Sequence, residues 1–144
     1  MTRRLFFGLL LAGAGAPVGC GGSGISAPKT APVRGVVHYK GKPAAGVRVT
    51  FHPQFDMGSV KFTPSGVTDK DGKFTLSTAA AGDGAPPGEY VVTFERPQVE
   101  SDRKSSGIEV EVDAWKGKYS DPAASQRKVQ IQKGENELEP FRLD

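Results

Sequence analysis

Cysteine is nearly missing from this 144-residue sequence: Cys20 is the only one. No disulfide framework within the chain staples the fold, so its stability rests on a hydrophobic core. Histidine is scarce too, with His38 and His52 alone, which leaves little for metal ligation or proton transfer. The N-terminal apolar run, Leu5 to Ala16, has twelve residues, short of the roughly 20 that a spanning helix needs. A surplus of charge is missing as well. Arg3 and Arg4 account for two of the 19 basic residues, which leaves 17 against 16 acidic ones in the rest of the chain. No basic run stands out in the sequence, so nucleic acid is set aside as a partner. What is plentiful is Gly, with 19, and Pro, with 11, as expected of short strands joined by many turns in one small domain.

Met1-Thr2-Arg3-Arg4 is a cationic leader, and the apolar run after it has the length of a signal-peptide h-region. Ala14-Gly15-Ala16 is a small-residue cleavage motif, but Pro17 makes a poor scissile position after it. Pro17-Val18-Gly19-Cys20 resembles the lipobox of bacterial lipoproteins, with Pro17 in place of the usual leucine. That resemblance implies a signal peptide over 1–19, a diacylglyceryl group on the Cys20 thiol, and attachment to a membrane through that lipid. Gly21 rather than aspartate after the cysteine favours the outer membrane by analogy with lipoprotein sorting. Residues 21–32 read as a flexible tether, reaching on the order of 20 Å.

From Val33 to Asp144 the apolar residues alternate with polar ones, the mark of half-buried strands. Val33, Gly35, Val37 and Tyr39 share a face; so do Val47, Val49 and Phe51, then Phe74 and Leu76, then Tyr90, Val92 and Phe94. Ile108, Val110 and Val112 alternate strictly with acids, and Val129 and Ile131 follow. Between Leu138 and Phe141 the phase slips, with Pro140 in the gap, which a bulge on an edge strand explains. The pattern predicts an all-β, seven- to eight-stranded antiparallel sandwich, with one short helical turn near 113–120.

The order and spacing of these segments carry a resemblance. Val33 to Phe51, Gly66 to Leu76, Pro87 to Val92 and Lys133-Gly134-Glu135-Asn136 are similar to the corresponding parts of carboxypeptidase-regulatory-like, or transthyretin-like, domains. Lys118 to Pro122 matches a segment found before the last two strands in short bacterial lipoproteins of that type. The resemblance implies a prealbumin-like sandwich over 33–144, with no established enzymatic activity; no cofactor is expected. A related hydrolase of the urate pathway uses paired histidines, an arginine and a closing Tyr-Arg-Gly-Ser. His38 and His52 do not fall in that pattern, and Phe141-Arg142-Leu143-Asp144 stands where the motif would.

Other chemistry is weakly supported. Asp69-Lys70-Asp71-Gly72 has part of the calcium-loop pattern but lacks its later oxygen donors, and a hairpin turn accounts for it. Asn136, in a turn, is the sole asparagine and a poor candidate for an isopeptide bond. Three regions remain for function. Trp115 and Tyr119, four apart with Lys116 and Lys118 beside them, form either a cap on the sandwich or an aromatic platform for a glycan or an envelope protein. The loop 53–65 carries Phe55 and Phe62. Arg96 to Ser106 reads as a mobile polar loop. The expected function is that of a non-catalytic envelope module for structure or protein contact. Carbohydrate binding is the alternative, and a small hydrolase ranks last.

Overall fold

Strand β1 (Val33–Tyr39) shows the predicted alternation, with Val33, Gly35 and Val37 buried and Arg34 exposed between them. In the computed structural model, which describes residues 27–59, 61–101 and 108–144, ten more strands follow. They are β2 (Lys42–Pro43), β3 (Arg48–Pro53), β4 (Ser65–Val67), β5 (Lys73–Thr75), β6 (Gly88–Glu95), β7 (Pro97–Ser101), β8 (Glu109–Asp113), β9 (Lys128–Ile131), β10 (Asn136–Glu137) and β11 (Phe141–Leu143). The chain is all-β, with no helix among the described residues.

Two sheets pack face to face. In the first, β1 is central: β5 and β2 pair antiparallel with it along one side, β10 and β11 parallel along the other. The second has the order β4-β3-β6-β9, antiparallel throughout. The antiparallel pair β7–β8 forms a separate ribbon. Val33 lies opposite Asn136, whereas Val37 lies opposite Phe141, so the partner strand gains one residue over that stretch. This is the predicted bulge, with Pro140 in the interval where no N–H is required.

The core is aromatic at its centre. Phe51 stands 5.7 Å from Tyr90 and 6.4 Å from Phe74 between ring centroids, and Phe141 packs 5.1 Å from Phe94 and 6.2 Å from Phe74. Val47, Val49, Val92, Leu76, Ile131 and Leu143 fill the space around them. Two glycines make this packing possible. A Cβ on Gly35 would lie 2.6 Å from the Phe74 ring, and one on Gly66 would lie 2.5 Å from the Thr75 carbonyl oxygen. The second contact is where the sheets meet, through paired bonds between Ser65 and Ser77. Beyond β9, the edge of β6 is closed by the connecting segment. Tyr119 and Arg127 carbonyls accept the Phe94 and Val92 N–H groups, and Ser125 Oγ donates to the Val92 carbonyl.

Two expectations are corrected. Residues 113–120 form turns rather than a helical turn. The Asp113 carboxylate takes up the N–H groups of Trp115 and Gly117, while Lys116 and Gly117 adopt φ of 51° and 81°, which no right-handed helix tolerates. Nor is Arg96 to Ser106 simply a loop, since Pro97–Ser101 is β7 and pairs residue by residue with β8. The polar composition that suggested a loop belongs to a projecting ribbon: Ile108 is 59% exposed and Val110 47%.

Candidate functional site

Chain direction gives the sandwich two unlike ends. At the Val33 end, Ala31 bridges to Ala85 and the Asn136 turn closes below it, its side-chain amide donating to Gln132 and Gly134 carbonyls. At the Tyr39 end lie the start of the ribbon, the Trp115 turn and Asp144.

The Tyr39 end is built around Asp113. Its carboxylate accepts N–H bonds from Arg96 at 2.8 Å, Trp115 at 3.1 Å and Gly117 at 2.8 Å. Burial alone would raise its pKa, but the three amide donors outweigh that and hold it below the usual carboxylate range. Asp113 therefore fixes the base of the ribbon and the aromatic turn together. The Trp115 ring lies 5.1 Å from Tyr39 and meets Tyr119 edge-on at 5.2 Å. Both Trp115 and Tyr119 are half-buried against the core, so they cover the end of the sandwich and still present part of each ring to solvent.

Cations surround these rings. Lys118 Nζ sits 5.0 Å over the Tyr119 ring and donates to the Asp144 main-chain oxygen at 2.8 Å. The Tyr119 hydroxyl, which also contacts that oxygen, is the first of the groups that raise the Lys118 pKa. The Arg127 guanidinium lies 5.7 Å from both Phe94 and Tyr119. Lys116 is exposed at the tip of the turn.

The other candidates separate. Phe55 lies at the opposite end, folded over Gly88 and edge-on to Tyr90 at 5.3 Å, where it packs against the core. Phe62 is half-buried ahead of Pro64 and joins neither group. Cys20 and the signal and lipobox segments lie outside the described residues. His38 and His52 sit on different sheets, and the His52 ring makes a 2.8 Å bond with Thr93 Oγ1. Burial lowers the His52 pKa, against a smaller upward pull from Glu95.

Sequence reasoning missed the cleft beside the Trp115 turn. It has a volume of about 570 Å³ and is lined by Tyr39, Lys40, Lys42, Pro43, Ala44 and Arg96. Tyr39 read as a core residue because it continues the buried face of β1, and β1 simply runs out of core at that point.

No protein-family model matches the chain, and no curated protein matches it at a significant level. Among solved structures it is similar to a 9R-lipoxygenase from Cyanothece PCC8801, at 13% identity and a TM-score of 0.44, over 80% of this chain and 16% of the other. It is also similar to a DUF3823 family protein from Parabacteroides merdae ATCC 43184, at 15% identity and a TM-score of 0.36, over 78% of this chain and 45% of the other. The chain thus spans less than half the length of either structure.

Proposed function

We propose that this chain is a lipid-anchored, non-catalytic binding module of the cell envelope, a carboxypeptidase-regulatory-like sandwich held to the outer membrane through Cys20. The observation that carries the reading is the polarity of β1. The residues leading from Cys20 enter the sandwich at Val33, and the half-exposed aromatic and cationic surface lies past Tyr39, at the other end of the same strand. A seven-residue strand is about 20 Å long. A tether from Cys20 therefore joins the sandwich at the end opposite the Trp115 surface and leaves that surface clear for whatever the module meets. Two or more acyl chains, at about 0.8 kcal/mol per buried CH₂, make such attachment durable.

Mass spectrometry of the mature N-terminus tests the anchor. The expected species begins at Cys20 and carries a thioether-linked diacylglyceryl group; a free thiol, or a chain beginning at Pro17, overturns it. Native pull-down from detergent-solubilised membranes tests the module. A co-purifying component that is retained by the wild-type chain and lost with Trp115→Ala is the expected result, and equal retention by both removes the Tyr39 end from the reading.

A further inference from the structure

A four-residue pattern, aromatic-Lys-Gly-Lys, occurs twice in this chain, as Tyr39-Lys40-Gly41-Lys42 and as Trp115-Lys116-Gly117-Lys118. The fold bends both copies the same way. Lys40 and Gly41 have φ of 50° and 76°, and Lys116 and Gly117 have 51° and 81°. Paired positive φ values at the two central positions mark a type I′ turn, which favours Asn-Gly or Gly-Gly. Lys40 and Lys116 are the only non-glycine residues with positive φ among the described residues. Lysine tolerates that conformation less well than asparagine or glycine. Both lysines are exposed, and Lys40 Nζ lies 5.3 Å over the Tyr39 ring, so turn geometry gives no reason for the choice.

The two copies also meet. Tyr39 and Trp115, the leading aromatic of each, lie 5.1 Å apart between ring centroids, so the lysines of both turns flank one aromatic patch. Lys40 and Lys42 line the adjoining cleft with Arg96. Of the three salt bridges among the described residues, Lys128 with Glu89 lies elsewhere, and Arg48 with Glu95 and with Glu111 sits beside the base of the ribbon; none of them involves the lysines of the two turns. Lys40, Lys42, Lys116 and Lys118 thus stand around partly open rings, outside those bridges, while the nearby Asp113 carboxylate is taken up by backbone N–H groups.

We propose that this paired motif is a binding site for an anionic polysaccharide, a chain of sugar rings bearing carboxylates or sulfates. The inference rests on reading the Tyr39 end as the binding end. Half-exposed rings offer apolar faces to sugar C–H groups, and ammonium groups spaced around them meet anions as mobile point charges. A cleft of about 570 Å³ is in the range that takes a small ligand or a sugar unit. An extended peptide is the poorer fit, because both edges of β1 are occupied there: Tyr39 pairs with Lys42 on one side and with Leu143 on the other. β1 itself therefore offers no backbone for strand addition, and the side chains of the two turns are left for recognition.

Trp115 is the sole tryptophan and reports directly on the site. The purified, detergent-solubilised full chain is titrated with a polyuronate, a sulfated dextran, neutral dextran, polyglutamate and a single-stranded oligonucleotide, following tryptophan emission. The expected result is a saturable change with one or both anionic glycans, weakened by salt, and none with neutral dextran; the two anionic arms separate carboxylate from sulfate recognition. Polyglutamate or the oligonucleotide binding as tightly as the glycans overturns the ligand class, and a flat response to both anionic glycans overturns the site. The variant pair Lys40→Asn and Lys116→Asn keeps the turns and suits their backbone better. Together they should raise the melting temperature while weakening glycan binding tenfold or more. Unchanged affinity in that folded variant overturns the proposal. Binding by a chain that proves to lack lipid leaves this site standing and removes only the anchor.

Discussion

Gly35 and Phe74 form a lock that a double-mutant cycle opens. The two residues are paired across β1 and β5, and a methyl group on Gly35 would sit 2.6 Å and 2.7 Å from two carbons of the Phe74 ring. Phe74 is only 3% exposed and its ring is bounded by Phe51 and Phe141, so the ring has no free direction in which to retreat. Gly35→Ala should therefore cost about 1–3 kcal/mol through overpacking, although alanine in a strand otherwise gains about 0.5–1 kcal/mol over glycine. Phe74→Ala leaves a cavity and should cost about 3–5 kcal/mol. In the double variant the methyl group introduced by Gly35→Ala enters the space the ring vacated, so its clash disappears and part of the cavity fills. The combined loss should fall below the sum of the single losses by about 1–3 kcal/mol, a coupling of the size seen between residues in contact. Urea melts of the four proteins, followed by Trp115 emission and by circular dichroism, measure it. Thr75→Ala, on the exposed side of the same strand, serves as the control at under about 1 kcal/mol. Additive losses, or a Thr75→Ala loss equal to that of Phe74→Ala, refute the packing argument.

Tyr90→Phe removes the 2.7 Å bond from the phenol to the Pro86 carbonyl and should cost about 0.5–1.5 kcal/mol in the same melts. Burial pushes the Tyr90 pKa up to about 12 from 10.0. The folded state thus holds this proton more tightly than the unfolded one, and the associated stability, intact below pH 10, falls as pH rises toward 12; phenolate absorbance and a parallel melt series should move together. Asp113→Ala strips one acceptor from three N–H groups and should cost about 1–2 kcal/mol, with a red shift of Trp115 emission as the turn loosens. His52 has its pKa lowered from 6.5 by burial. The unfolded chain takes up that proton first, so stability declines as pH falls below 6.5, and His52→Gln should flatten that limb of the pH profile without affecting the alkaline one.

The core of this fold is written in the sequence more clearly than its surface. Val33, Val49, Phe51, Phe74, Tyr90 and Phe94 lie on buried faces because a strand with one dry side must alternate, and alternation survives inspection of a single sequence. The bulge around Pro140 was legible for the same reason, as a break in phase. The turn at 113–120 was not. Spacing alone made Trp115 and Tyr119 look helical, whereas the carboxylate of Asp113 and two left-handed residues decide the backbone there. Strand β7 was hidden by composition: Pro97, Gln98, Glu100 and Ser101 have no buried face, so a two-stranded ribbon leaves no periodic signal. The cleft at Tyr39 escaped because it joins residues from two distant stretches, 39–45 and 96, whose adjacency is a property of topology.

The parallel partner of β1 sets the order in which this domain is completed. Asn136 reaches back to Pro32 across 104 residues, and Phe141 to Leu143 supply the only strand beside the far half of β1 on that side among the described residues. Contacts of such separation carry a large loop-closure cost and slow the search for the native state. A chain emerging from its N-terminus must hold Val33 to Tyr39 with one margin unsatisfied until nearly the whole domain has appeared. During that interval the segment is a template for pairing with another chain. Loss of the 136–143 segment would expose the same margin permanently, turning a central strand into an adhesive edge.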